Sequence, residues 1–302
     1  MSSYGPYDNS PLGRFLQLVM RTFAIGTFFG VHVRMYWAAA ILMPLFFWQG
    51  IGAVAGSGLE SLVLVAICFC GLFVVIWTHE MGHIAAGWRH GIRTDLITLS
   101  PLGGVAHMGA PARTPREEMI ISLAGPAVHL VWLAVFWPLL LLLPDRVFAI
   151  SGFRFCPLEF AVWYLVTVNK SLLLFNLLPF FPLDGGHVLR AVLSLRVHPN
   201  RATLWATSIG MAGAAVLIGL SLWQPRLQST IGLVLAISCI QACLNERRVA
   251  QHVLIYQHYQ QAARQPWEVD PDAWRHGGDP RERRLPKPGA FARWLAARAA
   301  KK

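Results

Sequence analysis

The chain has 302 residues, 55% of them hydrophobic and only 14% charged, with a mean hydropathy of +0.47. A soluble globular protein carries about a quarter charged residues. Here the charges are bunched between long stretches holding almost none, which excludes an ordinary soluble domain and reads as a polytopic membrane protein.

The N-terminal arm, residues 1–29, opens on a polar, Gly-rich Met1–Pro11 and lacks the basic start, short apolar run and cleavage site of a signal peptide, so the first span is expected to stay in the mature protein. Gly30–Tyr36 alternates small or apolar with polar residues, as a half-buried strand does. Six apolar segments then follow at about the length that crosses the hydrocarbon: Tyr36–Ala55, Leu62–Trp88, Met119–Leu143, Phe160–Leu178, Thr203–Trp223 and Leu227–Leu244. Between the second and third, Asp95–Leu99 and Val105–Met108 flank Pro101-Leu102-Gly103-Gly104 and read as a hairpin or re-entrant loop. Open strand edges cannot face lipid, so these strands belong in the protein interior or at the interface. The fold class is therefore an all-α polytopic membrane protein of six transmembrane helices with short membrane-associated β-strands and a re-entrant hairpin. Residues 30–244 form the membrane core. The tail, residues 245–302, is rich in Pro, Gly, Arg and Trp, with one short helix expected at Ala290–Ala300.

Charge in the loops sets orientation. Arg14 and Arg21 lie in the N-terminal arm, Arg89, Arg93, Arg113 and Arg116 after the second span, and Arg190, Arg196 and Arg201 after the fourth; the other three connections are short or nearly neutral. Basic and neutral loops alternate, which places both termini in the cytoplasm. The net charge of +11 follows from these loops and the tail. The tail reads as a solvated basic segment held near anionic lipid, and no nucleic acid is expected as a partner, because no reading motif accompanies the charge. The five cysteines suggest no disulfide framework; Cys239 and Cys243 share a helix face but have no His or acid beside them and read as packing residues.

The second span ends in Thr78-His79-Glu80-Met81-Gly82-His83. Residues four apart lie on one helix face, so His79 and His83 can direct imidazole nitrogens at one metal, and Glu80 can act as general base on a water beside it. Ionisable residues in an apolar helix are costly and mark function. A catalytic zinc needs a third protein ligand and an open position. Asp184 is the candidate, in Asn176-Leu177-Leu178-Pro179-Phe180-Phe181-Pro182-Leu183-Asp184-Gly185-Gly186. The second and fourth spans run in the same direction, so both clusters lie at cytoplasmic helix ends. Gly185-Gly186 allows close backbone approach.

At these residues the chain resembles the site-2 protease family. His79-Glu80-x-x-His83 together with Asn176-x-x-Pro179-x-x-Pro182-Leu183-Asp184-Gly185 looks like that family's paired signature, and the likeness extends from about Gly30 to Leu195, including Pro101–Gly104 and Ala124-Gly125-Pro126. The resemblance implies one zinc ion (Zn2+) per chain on His79, His83 and Asp184, water activation by Glu80, and a substrate or oxyanion role for Asn176. It also implies cleavage of single-span membrane proteins in or near the bilayer. The form is minimal, without the inserted peptide-binding module or the C-terminal nucleotide-sensing modules of other members. Two residues depart from the family pattern. His129 stands where Asn is frequent, and His187 where Arg or Lys is frequent; each is either a titratable tuning group or a tolerated polar substitution.

The reading is an intramembrane zinc metalloprotease, a zinc metalloendopeptidase, whose unwound substrate is presented by strand addition along Gly30–Tyr36 or the Asp95–Met108 hairpin. The alternative is a non-catalytic membrane zinc protein, either a client-binding relative or a metal transporter. Transport calls for polar residues through the membrane depth, and Asn169, Lys170 and His129 are the main ones on offer; a client-binding relative should have lost Glu80 or a ligand.

Overall fold

The computed structural model describes residues 21–55, 58–101, 103–143, 156–223 and 227–264. Most of the expected N-terminal arm, the loop 144–155 and residues 265–302 of the expected 245–302 tail, with its expected helix, lie outside the described residues, whereas residues 245–264 of that tail are helical. The chain divides into two compact units, residues 1–253 and 254–302.

The chain opens with strands β1 (Thr22–Phe28) and β2 (Val31–Tyr36), then helices α1 (Trp37–Ala55) and α2 (Leu59–Arg89), then strands β3 (Thr94–Ser100) and β4 (Gly103–Met108). Helices α3 (Pro115–Leu142), α4 (Pro157–Asn176), α5 (Asp184–Ser194), α6 (Pro199–Trp223) and α7 (Leu227–Arg264) follow. Four of them, α2, α3, α4 and α6, are long and apolar enough to cross a membrane, and α1 holds a shorter apolar stretch, Trp37–Ile51. The sixth expected span, Leu227–Leu244, lies within α7. The protein is thus a mostly helical integral membrane protein with one small sheet.

That sheet has four strands in the order β1-β2-β3-β4. The hairpin β3–β4 is antiparallel, as expected, pairing Ile97 with Ala106 and Ser100 with Gly103. β1, inside the expected arm, was not anticipated. It pairs antiparallel with β2 through a two-residue turn, Phe29-Gly30, in which both residues have positive φ, 52° and 80°. That is the turn twist that matches paired strands, and Gly30 supplies one of its two left-handed residues without steric cost. β2 and β3 run parallel; such a pair needs a long crossover, and the helices α1 and α2 provide it. β2 is therefore paired on both sides and offers no free edge, which removes Gly30–Tyr36 as a candidate edge for substrate. β4 is an edge strand.

Strand alternation decides which side of the sheet is packed. Val31, Val33 and Met35 of β2 are buried while His32 and Arg34 are exposed. The buried set joins Ile97 and Leu99 of β3, Ala39 of α1 and Ile84 of α2 in one core. Fully burying an aliphatic side chain of this size is worth about 1.5–3 kcal/mol, so the C-terminal half of α2 is clamped to the sheet. α3 starts sharply: Thr114 caps it by accepting from the Glu117 N–H at 3.2 Å, and Pro115 occupies the first turn.

Candidate active site

The α-helical repeat brings His79 and His83 onto one face of α2, and both side chains are buried, as is Glu80. Their Nε2 atoms lie 3.1 Å apart. Asp184, the first residue of α5, completes the cluster: its Oδ2 is 3.2 Å from His79 Nε2 and its Oδ1 is 3.2 Å from His83 Nε2. A tetrahedral zinc with bonds of about 2.0 Å has ligand–ligand edges of roughly 3.3 Å; the two imidazoles meet that spacing, each has a different Asp184 oxygen at a similar distance, and one ligand atom from each residue lies within 4.8 Å of the others. Among the described residues this is the one group of three or more His, Cys, Asp or Glu placed to hold a metal.

The chemistry of the donors fits as well. His83 Nδ1 is 2.7 Å from the Ile121 carbonyl oxygen, so Nδ1–H donates and the Nε2 lone pair is turned toward Asp184 and His79, the arrangement common to metal-bound histidines. Burial alone would raise the Asp184 carboxyl; hydrogen bonds from His79 and His83 and their positive charge, when they are protonated in place of a metal, outweigh it and hold the group well below the usual carboxylate range.

Two close approaches make room for this geometry. Gly125 of α3 lies directly under the imidazoles, and a methyl group there would run into the His83 ring and come within 2.8 Å of His79 Cε1. Gly185 lies against the Leu177 and Leu178 carbonyls, where no side chain fits. This is the close approach expected of Gly185-Gly186, and it lets α5 begin right after the turn that follows α4.

Glu80 faces β4: its Oε2 accepts from the Ala106 N–H at 3.1 Å. It opens, with His83 and Asp184, into a cavity of about 600 Å³ that β4 lines through Gly104, Val105, Ala106 and Met108. His187 and Arg190 of α5 and Glu118 of α3 line it as well. Arg190 bridges Glu118 and Glu246 of α7, and its guanidinium lies 5.5 Å from the centre of the Phe181 ring.

Of the residues singled out in the sequence, His79, His83, Glu80 and Asp184 come together. Asn176 ends α4, half-buried, and is not among the residues lining the cavity. His129 lies against His79, whereas His187 sits 3.8 Å from Glu118. Cys239 and Cys243 are buried in separate apolar clusters with Phe180 and Phe181 respectively. The Ile121 carbonyl and the Ala106 N–H were not foreseen, because backbone groups carry no residue signal; the Arg190–Glu118 pair was missed because its members lie 72 positions apart.

A family model, Peptidase family M50, matches residues 67–155 and 154–217, which together reach across half of the chain and carry all four clustered residues. The chain belongs to peptidase family M50. Among curated M50-like relatives, Rip3 of Mycobacterium tuberculosis is 34% identical over 205 residues, covering 66% of this chain and 50% of Rip3. Zinc metalloprotease MJ0392 of Methanocaldococcus jannaschii is 34% identical over 163 residues, covering 54% of this chain and 44% of that one. Stage IV sporulation protein FB of Bacillus subtilis is 33% identical over 133 residues, covering 43% and 42%. This M50 chain thus spans about half the length of the curated relatives it matches. In fold it is similar to the site-2 protease from Methanocaldococcus jannaschii, with a TM-score of 0.53 at 24% identity over 75% of this chain and 95% of that one.

Proposed function

We propose that the protein is an intramembrane zinc metalloprotease that hydrolyses peptide bonds in or near the transmembrane segments of membrane-anchored, single-span proteins. The observation that carries this reading is the convergence of His79, His83 and Asp184 beside Glu80 at the wall of a cavity about 600 Å³ in volume. His79, His83 and Asp184 hold one zinc per chain. Such an ion supplies a Lewis acid for the scissile carbonyl and acidifies a water molecule.

Glu80 would take a proton from the attacking water as its oxygen adds to the scissile carbonyl and deliver it to the leaving nitrogen as the C–N bond breaks. The Ala106 N–H holds one of its oxygens, leaving the other for the proton. β4 presents an edge along the same cavity, and a substrate strand pairing there would be extended and its carbonyls accessible, which a helix does not allow. Asn176 is assigned the developing oxyanion; this role is supported by the resemblance of its segment, not by its position.

The chain is read as six spans, the four long apolar helices with α1 and the first part of α7, and the β3–β4 hairpin as re-entrant. Both termini and the active site face the cytoplasm, in keeping with the arginines of the basic loops.

The test is co-expression with tagged single-span proteins. Unaltered enzyme should release a soluble fragment; Glu80→Gln should keep its zinc but lose cleavage by roughly a hundred- to ten-thousand-fold. His79→Ala, His83→Ala and Asp184→Ala should each lose the metal. Undiminished cleavage by Glu80→Gln, at matched expression and zinc content, would overturn the reading.

A further inference from the structure

The two histidine ligands are held in different ways. His83 has its Nδ1 on the Ile121 carbonyl. His79 Nδ1 is buried and has no hydrogen-bond partner among the described residues. A third imidazole lies against the His79 ring instead: His129 of α3 stacks on it with centroids 4.9 Å apart and planes at 29°.

His129 is itself pinned. It is fully buried, as is Asn169 of α4, and His129 Nδ1 lies 2.8 Å from Asn169 Oδ1. Asn169 Nδ2 donates to the Leu165 carbonyl at 2.8 Å, which leaves Oδ1 as the acceptor and puts the His129 proton on Nδ1. The ring is thus oriented from α4, carried on α3 and laid flat on a ligand of α2. An imidazole with an unpartnered, buried Nε2 costs stability that an apolar residue there would not, so stability alone does not account for His129.

We propose that His129, oriented by Asn169, is a positioning residue that sets the plane of the His79 imidazole by stacking, as the Ile121 carbonyl does for His83 by hydrogen bonding. The inference rests on the metal-site reading above. A hydrogen bond at Nδ1 fixes both the tautomer and the plane of a ring, whereas a stack fixes the plane alone. Without His129 the His79 ring is free to turn about its Cβ–Cγ bond, and the Nε2 lone pair no longer points at the metal.

The experiment uses the purified full chain in detergent, loaded with Co2+, whose visible spectrum reports the ligand geometry. Unaltered protein should show a spectrum that His79→Ala abolishes. His129→Ala should shift or weaken the bands and retain Co2+ against a chelator roughly ten- to a hundredfold less well, the usual cost of losing an outer partner of a metal ligand. With zinc, the kcat of His129→Ala should fall while KM stays. His129→Phe, which keeps a ring on His79 without the Asn169 hydrogen bond, should recover most of the Co2+ affinity, and Asn169→Leu should fall between. If His129→Ala does not fold, the other two variants decide. Bands and Co2+ affinity in His129→Ala within twofold of the unaltered protein would overturn the inference while leaving the metal site standing, as would His129→Phe and Asn169→Leu both losing Co2+ as fully as His79→Ala. A spectrum indifferent to His79→Ala would overturn the metal-site reading itself, and this inference with it.

Discussion

Arg190 of α5 donates from Nε to Glu118 Oε1 of α3 at 2.7 Å, joining two helices that each supply part of the proposed metal site. Asp184 begins α5 and Gly125 lies in α3, so this pair fixes Asp184 relative to the floor beneath the histidines. Glu246 binds the same guanidinium at 3.2 Å but is far more exposed than Glu118, so the two carboxylates are not equivalent.

The asymmetry ranks the variants. Arg190→Ala takes the guanidinium from a half-buried Glu118 and leaves it His187, 3.8 Å away, and losing a hydrogen bond between charged groups costs about 1.5–3 kcal/mol. Glu246→Ala removes a contact that solvent screens and should cost under about 1 kcal/mol. Thermal unfolding in detergent should show a clear drop in Tm for Arg190→Ala and little for Glu246→Ala, and the exchange Glu118→Arg with Arg190→Glu should recover part of the loss. Equal drops for the two single variants would refute this ranking.

Gly125 offers a test by sign. In the middle of an ordinary helix, Gly→Ala stabilises by roughly 0.5–1 kcal/mol. Here the added methyl runs into the His83 imidazole, so Gly125→Ala should lower zinc content sharply even though the helix is a better one. Zinc measured by elemental analysis on the purified variant checks this; full occupancy would mean that α2 and α3 separate at little cost.

The two candidate strand edges behave differently toward proline, which removes a backbone donor. Val33 lies in β2, between β1 and β3, so Val33→Pro should deplete folded protein altogether rather than impair cleavage selectively. Ala106 gives its N–H to Glu80, outside the sheet ladder. Ala106→Pro should therefore fold, keep its zinc, and lose cleavage because Glu80 is no longer steadied. Quantifying the folded fraction and zinc for both variants separates the cases, and normal cleavage by Ala106→Pro would show that the Ala106 N–H is not needed to steady Glu80.

Orientation is checked independently of activity. In a chain whose native cysteines other than Cys156 are replaced, cysteines introduced at Arg113 and Arg196 should be labelled from the cytoplasmic side and Cys156 from the opposite side. Labelling of position 113 from outside would invert the topology.

His79, Glu80 and His83 were legible because their signal is local: they fall within about one helical turn, so spacing alone puts both imidazoles on one face. Asp184 was reached through the shared direction of two spans and the resemblance of its segment, since Asp-Gly alone is an ordinary turn dipeptide. The apolar lengths of α2, α3, α4 and α6 were equally plain, since lipid imposes one composition on whatever crosses it. The partners that complete the site were decided only by packing. Nothing near His79 in the chain says that His129 will lie on its ring, that Asn169 will orient His129, or that the Ala106 N–H will meet Glu80, because those contacts cross from one helix or strand to another. The same holds for the sheet. The alternation of Val31, Val33 and Met35 marks β2 as a strand with one buried face, yet only the parallel pairing with β3, reached through two helices, makes it an interior strand between β1 and β3. Side-chain pattern along a segment is written in that segment; which neighbour fills its free donors and covers its face depends on the rest of the chain.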